Sequence, residues 1–216
     1  MKEAIELGLM ALVLSDMALL GIGLLSTCIR IVAFQGVLLG FFSVAVNWGG
    51  LTPRVWILAA VSGLLKGVVY PLLLRRAVSD AGVQREIEPY VGPIPSVLAG
   101  IALFGASVWI GSRLPLTGAA EAGSRLIVSA SLMTLLTGLF LVAARKKALT
   151  QTLGYIVFEN GIFAFGVASV GEIPALVELG ILLDAFVAVF VMGIAMYHIN
   201  REFDHLDADR LNALKG

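Results

Sequence analysis

The sequence predicts an all-α, polytopic bundle of about seven membrane-spanning helices, and three observations carry that prediction. Of its 216 residues 59% are hydrophobic and only 14% charged, with a mean hydropathy of +0.96. A soluble domain of this size carries about a quarter charged residues, so the surplus apolar surface must face lipid. The apolar residues also come in runs close to the roughly 20 that a spanning helix needs. Finally, no stretch shows the ten-residue alternation of a membrane barrel, which leaves helices as the spanning element.

Seven runs qualify, at about 5–25, 31–48, 55–74, 94–111, 126–144, 152–170 and 175–199. Gly, Pro and charge mark the breaks, as in the Gly49, Gly50 and Pro53 cluster before the third run. The longest polar stretch, 75–92, is too short for a domain. The whole chain therefore reads as one integral membrane domain: a three-helix unit at 1–76, a spacer helix at 93–112, a second three-helix unit at 125–200 and a short tail at 201–216. The opening run has a mixed-charge start and contains Asp16, which fits a retained helix better than a cleaved signal peptide.

Basic residues give the orientation. Lys2, Arg54, Arg113 and Arg125 fall on one side of this map, and Arg30, Arg75, Arg76, Arg85, Arg145, Lys146, Lys147, Arg201, Arg210 and Lys215 on the other. The positive-inside rule puts the N-terminus outside and the C-terminus in the cytoplasm of a multi-pass protein of the inner (cytoplasmic) membrane. Trp48 and Trp56 near one boundary suit interface aromatics. A net charge of zero offers no basic face for nucleic acid.

A faint repeat relates the two units. A shift of 116 residues sets Gln35 on Gln151 and Phe42 on Phe158, and carries the first three spans onto the last three. The fourth span returns the chain to its starting side, so the units are expected to be parallel rather than inverted. Each then has an ionisable residue in its third helix, Lys66 in the first and Asp184 in the second.

Four charges fall deep in these spans: Asp16, Lys66, Glu159 and Asp184, with Glu178 near the outer end of the last one. A charge at the centre of a spanning helix costs about 2.5 to 3.5 kcal/mol on insertion scales, so such residues usually face a protein interior or a polar pathway. Packing alone explains a charge that finds an opposite partner, and Lys66 has two candidates, Asp16 and Asp184. Glu159 and Asp184 are the stronger functional candidates, at about 10 and 13 Å from the nearer start of their helices. Tyr155 and Phe163 share the face of Glu159, whereas Asn160 is turned away by about 100°. Two acids at different depths on consecutive antiparallel helices suit a lateral proton relay.

No nucleotide loop, nucleophile triad or metal constellation is visible, so no catalytic residue, metal ligand or bound cofactor is expected. Cys28 alone builds neither a disulfide nor a thiolate site and reads as an apolar filler. His198 and His205 read as solvated interface residues, and Leu206, Leu211 and Leu214 among charges read as a short helix lying on the membrane or a partner. Gly161, Gly166, Gly21 and Gly23 read as close helix contacts.

The stretch 145–216 resembles the small three-helix K subunit of complex I and the related C subunit of the Mrp antiporters. The resemblance rests on the basic turn Arg145, Lys146, Lys147, on Glu159 within YIVFENGIFAF, on Asp184 within GILLDAFVAVF and on the short tail. At the second acid those families usually carry Glu, so the Asp is a conservative departure. The whole chain, by its length and extra N-terminal spans, more closely resembles component E of hydrogenase-4 and of formate hydrogenlyase-type complexes. The resemblance implies a non-catalytic subunit of a membrane arm, with antiporter-like membrane subunits and a hydrophilic nickel-iron and iron-sulfur arm as partners. It further implies that Glu159 and Asp184 belong to a row of protonatable groups serving proton or sodium translocation. By the same carry-over Lys66 would be their N-terminal counterpart, and Asp16 is counted with them in the expected proton pathway. Two other readings remain at this stage, a self-contained small cation or solute transporter and a structural membrane scaffold in which every deep charge is an internal salt link.

Overall fold

The computed structural model describes residues 2–46, 53–80, 90–114 and 123–169. Asp184 and Glu178, the expected seventh span and the tail lie outside the described residues. Within them every regular element is helical: α1 (Lys2–Gly21), α2 (Leu25–Val46), α3 (Pro53–Leu64), a π-helical turn (Leu65–Val69), α4 (Tyr70–Asp80), α5 (Pro93–Arg113), α6 (Gly123–Ala144) and α7 (Ala148–Ser169). Three of these helices, at Leu25–Ala45, Pro93–Arg113 and Leu126–Ala144, are long and apolar enough to cross a membrane. α1 and α7 coincide with the first and sixth runs, within a few residues.

The third run departs from expectation. It shows no break in sequence, yet its helix is continuous from Pro53 to Asp80 only by way of the π turn, and its last residues extend into the stretch read as a polar connection. Pro71 supplies the reason. It has no N–H for the carbonyl of Gly67, and in α register its ring would press on that carbonyl. The chain widens instead, and the Tyr70 N–H bonds to the Leu65 carbonyl five residues back. Lys66 sits inside this turn, 1% exposed.

α6 and α7 form the most extensive pairing, α1 lies on α6, and α2 lies on α7 and on α3 with its π turn; α5 covers α1 and α6. The helices that the expected repeat would match, α1 with α6 and α2 with α7, are in contact, although the matched glutamines make unrelated bonds. Gln35 is buried among polar side chains, and Gln151 caps the turn before α7 by donating to the Arg145 carbonyl. One core joins Leu19, Leu25, Ile29, Tyr70, Leu153 and Ile156; a second joins Leu12, Leu39, Phe42 and Ala164. Cys28 belongs to the first, as a filler would. Outward faces stay apolar, with Leu7, Met10 and Leu14 on α1 and Ile94, Leu98 and Ile101 on α5 exposed. That is the pattern expected where lipid replaces water.

Glycine brings the helices close at particular places. A Cβ on Gly161 would strike the Leu135 backbone, and one on Gly138 the Phe158 backbone, so the α6–α7 seam closes on hydrogen atoms. Gly161 is therefore a helix contact as expected, and Gly21 meets Val97, but Gly23 has nothing within 4 Å and follows α1 in an open junction. Gly36 and Gly40 on α2 face Lys66, Gly67 and Gly63 of the third run.

Three connections meet at one end of the bundle. The Arg145 guanidinium donates to the Leu19 carbonyl at 3.3 Å, at the C-terminal turn of α1. The Tyr90 N–H donates to the Ala144 carbonyl at 2.8 Å, and Lys146 lies 5.1 Å from the Tyr90 ring centroid. Arg145 is only 5% exposed, and burial pulls its guanidinium below its usual range. An arginine at a helix C-terminus also meets the negative end of the helix dipole. Arg145→Met should cost about 1 to 3 kcal/mol by stranding the Leu19 carbonyl. Thermal unfolding in detergent checks this, and an unchanged midpoint would mean that water replaces the bond.

Candidate functional site

The buried polar groups of the bundle are not scattered. Asp16 faces inward from α1 with no exposed surface. Its Oδ1 accepts from Gln35 Nε2 at 2.9 Å and its Oδ2 from Thr134 Oγ1 at 2.7 Å, so α1, α2 and α6 converge on one carboxyl group. The same Gln35 nitrogen lies 2.8 Å from Ser15 Oγ, whose own proton goes to the Leu12 carbonyl at 2.6 Å. Gln35 Oε1 in turn accepts from Asn160 Nδ2 at 3.4 Å, which brings in α7. Gln35 and Asn160 are both fully buried.

The residue before Asn160 is Glu159, and it meets Lys66. Lys66 Nζ lies 3.1 Å from Glu159 Oε1 with both side chains almost wholly buried. The ammonium also lies 4.8 Å from the centroid of Phe163, one turn on from Glu159, where a ring face attracts a cation. Among the described residues neither Glu159 oxygen has a hydrogen-bond partner of good geometry, and Asn160 Oδ1 has none. Such a pair is held by charge more than by directed bonds, and a buried polar atom left unpaired costs about 1 to 3 kcal/mol.

Two features follow. Asp16 is held by neutral groups, the Gln35 amide and the Thr134 hydroxyl, whereas Glu159 is held by a cation. The hydrogen-bonded chain from Asp16 runs through Gln35 to Asn160, the residue next to Glu159 in sequence.

Comparison with known proteins gives the family. The chain is 30% identical over 164 residues to the hydrogenase-4 component E of Escherichia coli K12, covering 75% of this chain and 73% of that protein. It belongs to the hydrogenase-4 component E family. The Shigella flexneri component E matches to the same extent. An uncharacterized protein of Mycobacterium tuberculosis, Rv0085, is 32% identical over 154 residues, covering 70% of this chain and 68% of its own. No family model matches, and no solved structure does.

In this component E family member, three of the expected site residues, Asp16, Lys66 and Glu159, are all buried; Lys66 and Glu159 meet, while Asp16 is bonded to Gln35 and Thr134. Lys66 takes Glu159 as partner, neither of the two acids that the sequence suggested for it. Tyr155, on the same helix, is half-buried and stacks obliquely on Phe158, with ring centroids 6.2 Å apart. It has no bond to Glu159 among the described residues. The residues the sequence missed are the neutral ones, Gln35, Thr134 and Asn160. In the sequence Gln35 stands out only as the repeat mate of Gln151, and Asn160 only as a residue turned away from the Glu159 face. That same 100° turn lets it reach α2.

Proposed function

We propose that this chain is a non-catalytic membrane-arm subunit of a hydrogenase-type or complex I-related oxidoreductase. Its buried carboxylates take part in moving protons or sodium ions while electrons flow in partner subunits. The single observation behind the reading is the buried Lys66–Glu159 pair, with the bonded row Asn160, Gln35 and Asp16 beginning at the next residue, in a member of the hydrogenase-4 component E family. A scaffold has no need of a carboxylate held only by neutral groups, as Asp16 is. A translocation pathway does, because such a group can change charge without breaking an ion pair.

In this reading the chain crosses the cytoplasmic membrane seven times, with the N-terminus outside and the C-terminus inside. The end where Leu19, Tyr90 and Ala144 meet is its cytoplasmic end. Asp184 continues the pathway from Glu159. Antiporter-like membrane subunits flank the chain, and the nickel-iron and iron-sulfur chemistry belongs to a hydrophilic arm elsewhere in the complex.

The test is a pair of isosteric variants, Glu159→Gln and Asp184→Asn, in membranes carrying the intact complex. Both should copurify with wild-type partners and retain electron transfer, while ion movement per electron falls at least tenfold. Wild-type pumping in both would sink the proposal, as would isolation of the chain without any oxidoreductase subunit under conditions that keep other membrane complexes whole.

A further inference from the structure

The hydroxyl that holds Asp16 has two oxygens to choose between. Thr134 Oγ1 lies 2.7 Å from Asp16 Oδ2 and 3.1 Å from the carbonyl of Ala130, one turn back on its own helix. A hydroxyl has one proton to give and two lone pairs to receive with, so Thr134 donates to only one of these oxygens at a time. Threonine in a helix often bonds the carbonyl four residues back, so the second acceptor comes with the backbone. Turning the proton from one acceptor to the other takes a rotation about a single bond and moves no heavy atom.

The rest of the site suits either setting. Gln35 Nε2 donates to Asp16 Oδ1 at 2.9 Å and lies 2.8 Å from Ser15 Oγ, while Ser15 gives its own proton to the Leu12 carbonyl at 2.6 Å. Oδ1 accepts from Gln35 equally well as a carboxylate oxygen or as the carbonyl oxygen of a neutral acid. Oδ2 is therefore the oxygen for a proton to occupy, and Thr134 is the group that faces it. With Asp16 ionised, Thr134 donates to Oδ2. With Asp16 protonated, the Oδ2–H donates to Thr134 Oγ1 and the Thr134 proton goes to the Ala130 carbonyl. No buried polar atom of Asp16, Ser15, Gln35 or Thr134 lacks a partner in the structure, and the second setting leaves none without one either.

We propose that Thr134 is the hydroxyl that lets Asp16 gain and lose a proton in place, which makes this carboxyl a site for protons and not for sodium ions. The inference rests on the translocation reading and narrows its choice of ion at Asp16. The titrating proton comes from water and returns to it; Thr134 keeps its own throughout and is a positioning residue. Sodium fits poorly because a hard cation binds through oxygen lone pairs. Here the two N–H groups of the Gln35 amide already take up lone pairs of Oδ1 and Ser15 Oγ.

Among the described residues no charged side chain is bonded to Asp16. α1 packs against α2, α5 and α6. The charged residue of α2, Arg30, and that of α5, Arg113, are exposed, and that of α6, Arg125, lies in its first turn. On α1 itself Lys2 is the first residue of the helix, and Glu3 and Glu6 are exposed. Arg145 reaches α1 at the Leu19 carbonyl, and on α7 Glu159 is paired with Lys66.

NMR of the full chain in lipid nanodiscs tests the proposal. Only three alanines precede a serine in the sequence, Ala106, Ala130 and Ala168, so 13C-carbonyl Ala with 15N-Ser isolates the Ala130 carbonyl. The chain has six aspartates, and Asp16→Asn assigns the Asp16 carboxyl among 13C-Asp signals. The Ala130 carbonyl should move with the midpoint of the Asp16 carboxyl as it gains the Thr134 bond. Thr134→Val should leave it still while Asp16 titrates, and Thr134→Ser should restore the movement. Exchanging N-methylglucamine for sodium at constant ionic strength should leave the midpoint where it is. An Ala130 signal that stays flat in the wild-type chain would overturn the inference, whether or not Thr134→Val folds. So would movement that persists in Thr134→Val, because the carbonyl would then be sensing the charge through space. A midpoint that falls by about one pH unit for each tenfold rise in sodium would make Asp16 a cation site instead. A carboxyl that keeps one charge state over the whole pH range in which the chain stays folded would overturn the inference as well. The two proposals fail separately: normal pumping by Glu159→Gln and Asp184→Asn with a moving Ala130 signal removes the translocation reading alone, and lost pumping with a flat signal removes the role of Thr134 alone.

Discussion

Lys66→Met is expected to destabilise the folded protein by about 3 to 5 kcal/mol, the usual cost of stranding one member of a buried ion pair. The double variant Lys66→Met/Glu159→Gln should return to within about 1 kcal/mol of wild type. Among the described residues Glu159 has only the charge of Lys66 and no hydrogen-bond donor of good geometry, so removing the ammonium leaves a carboxylate with none of them to replace the water it lost. Glu159 can escape by taking up a proton, and the loss should therefore shrink as the pH falls. Gln at position 159 removes the charge while keeping the shape, and Met fills the volume of the lysine stem. Chemical unfolding in detergent of the two single variants and the double one measures the cycle. If the double variant is as unstable as Lys66→Met, charge pairing is not what holds this site. A stable double variant that still pumps would assign the pair to packing, since neither replacement can carry a proton. A stable double variant without pumping would separate folding from function, which is the expected result.

How much of this was legible in the sequence depends on the physics behind each feature. Helix ends were, because an apolar run must stop where Gly, Pro or charge would enter lipid. α5 and α6 begin and end within a few residues of the predicted runs. The deep charges were legible for the same reason, being conspicuous by cost. Their pairing was not. Lys66 meets Glu159 because α2 lies on both α7 and the π turn, and a contact between elements 93 positions apart leaves no periodic trace in either. The neutral members of the site escaped notice because Gln, Thr and Asn in a span carry no large penalty to advertise them. The π turn does have a signal in the sequence: Gly63, Gly67 and Pro71 at four-residue spacing on one run, with Gly36 and Gly40 on another. Small residues four apart mark a face where backbones touch, and a proline one turn further on marks where the hydrogen-bond register must give.

That crossing carries the other large expected effect. Gly36→Ala should destabilise the protein by about 1 to 3 kcal/mol, or more, and should disable ion movement as well, while Gly63→Ala in the facing helix should be neutral or slightly favourable. The obstacles decide it. A Cβ on Gly36 would lie 2.6 Å from the carbonyl carbon of Lys66 and 2.8 Å from the Gly67 nitrogen, both backbone atoms that move only if the whole turn moves. A Cβ on Gly63 would meet only the Gly40 Cα at 3.8 Å, an ordinary contact, and Ala is preferred over Gly in a helix by about 1 kcal/mol. Gly67→Ala falls between, since its nearest obstacle is a side-chain methyl of Val37 at 2.7 Å, which can rotate aside. Pushing the π turn off α2 displaces the backbone that carries Lys66, so its ammonium loses register with Glu159 even though no charge has been altered. Unfolding midpoints should therefore rank Gly36→Ala lowest, Gly67→Ala next and Gly63→Ala at or above wild type, with pumping following the same order. Equal midpoints for the Gly36 and Gly63 variants would mean that the helices slide apart at no cost. The crossing would then not be what holds Lys66 against its partner.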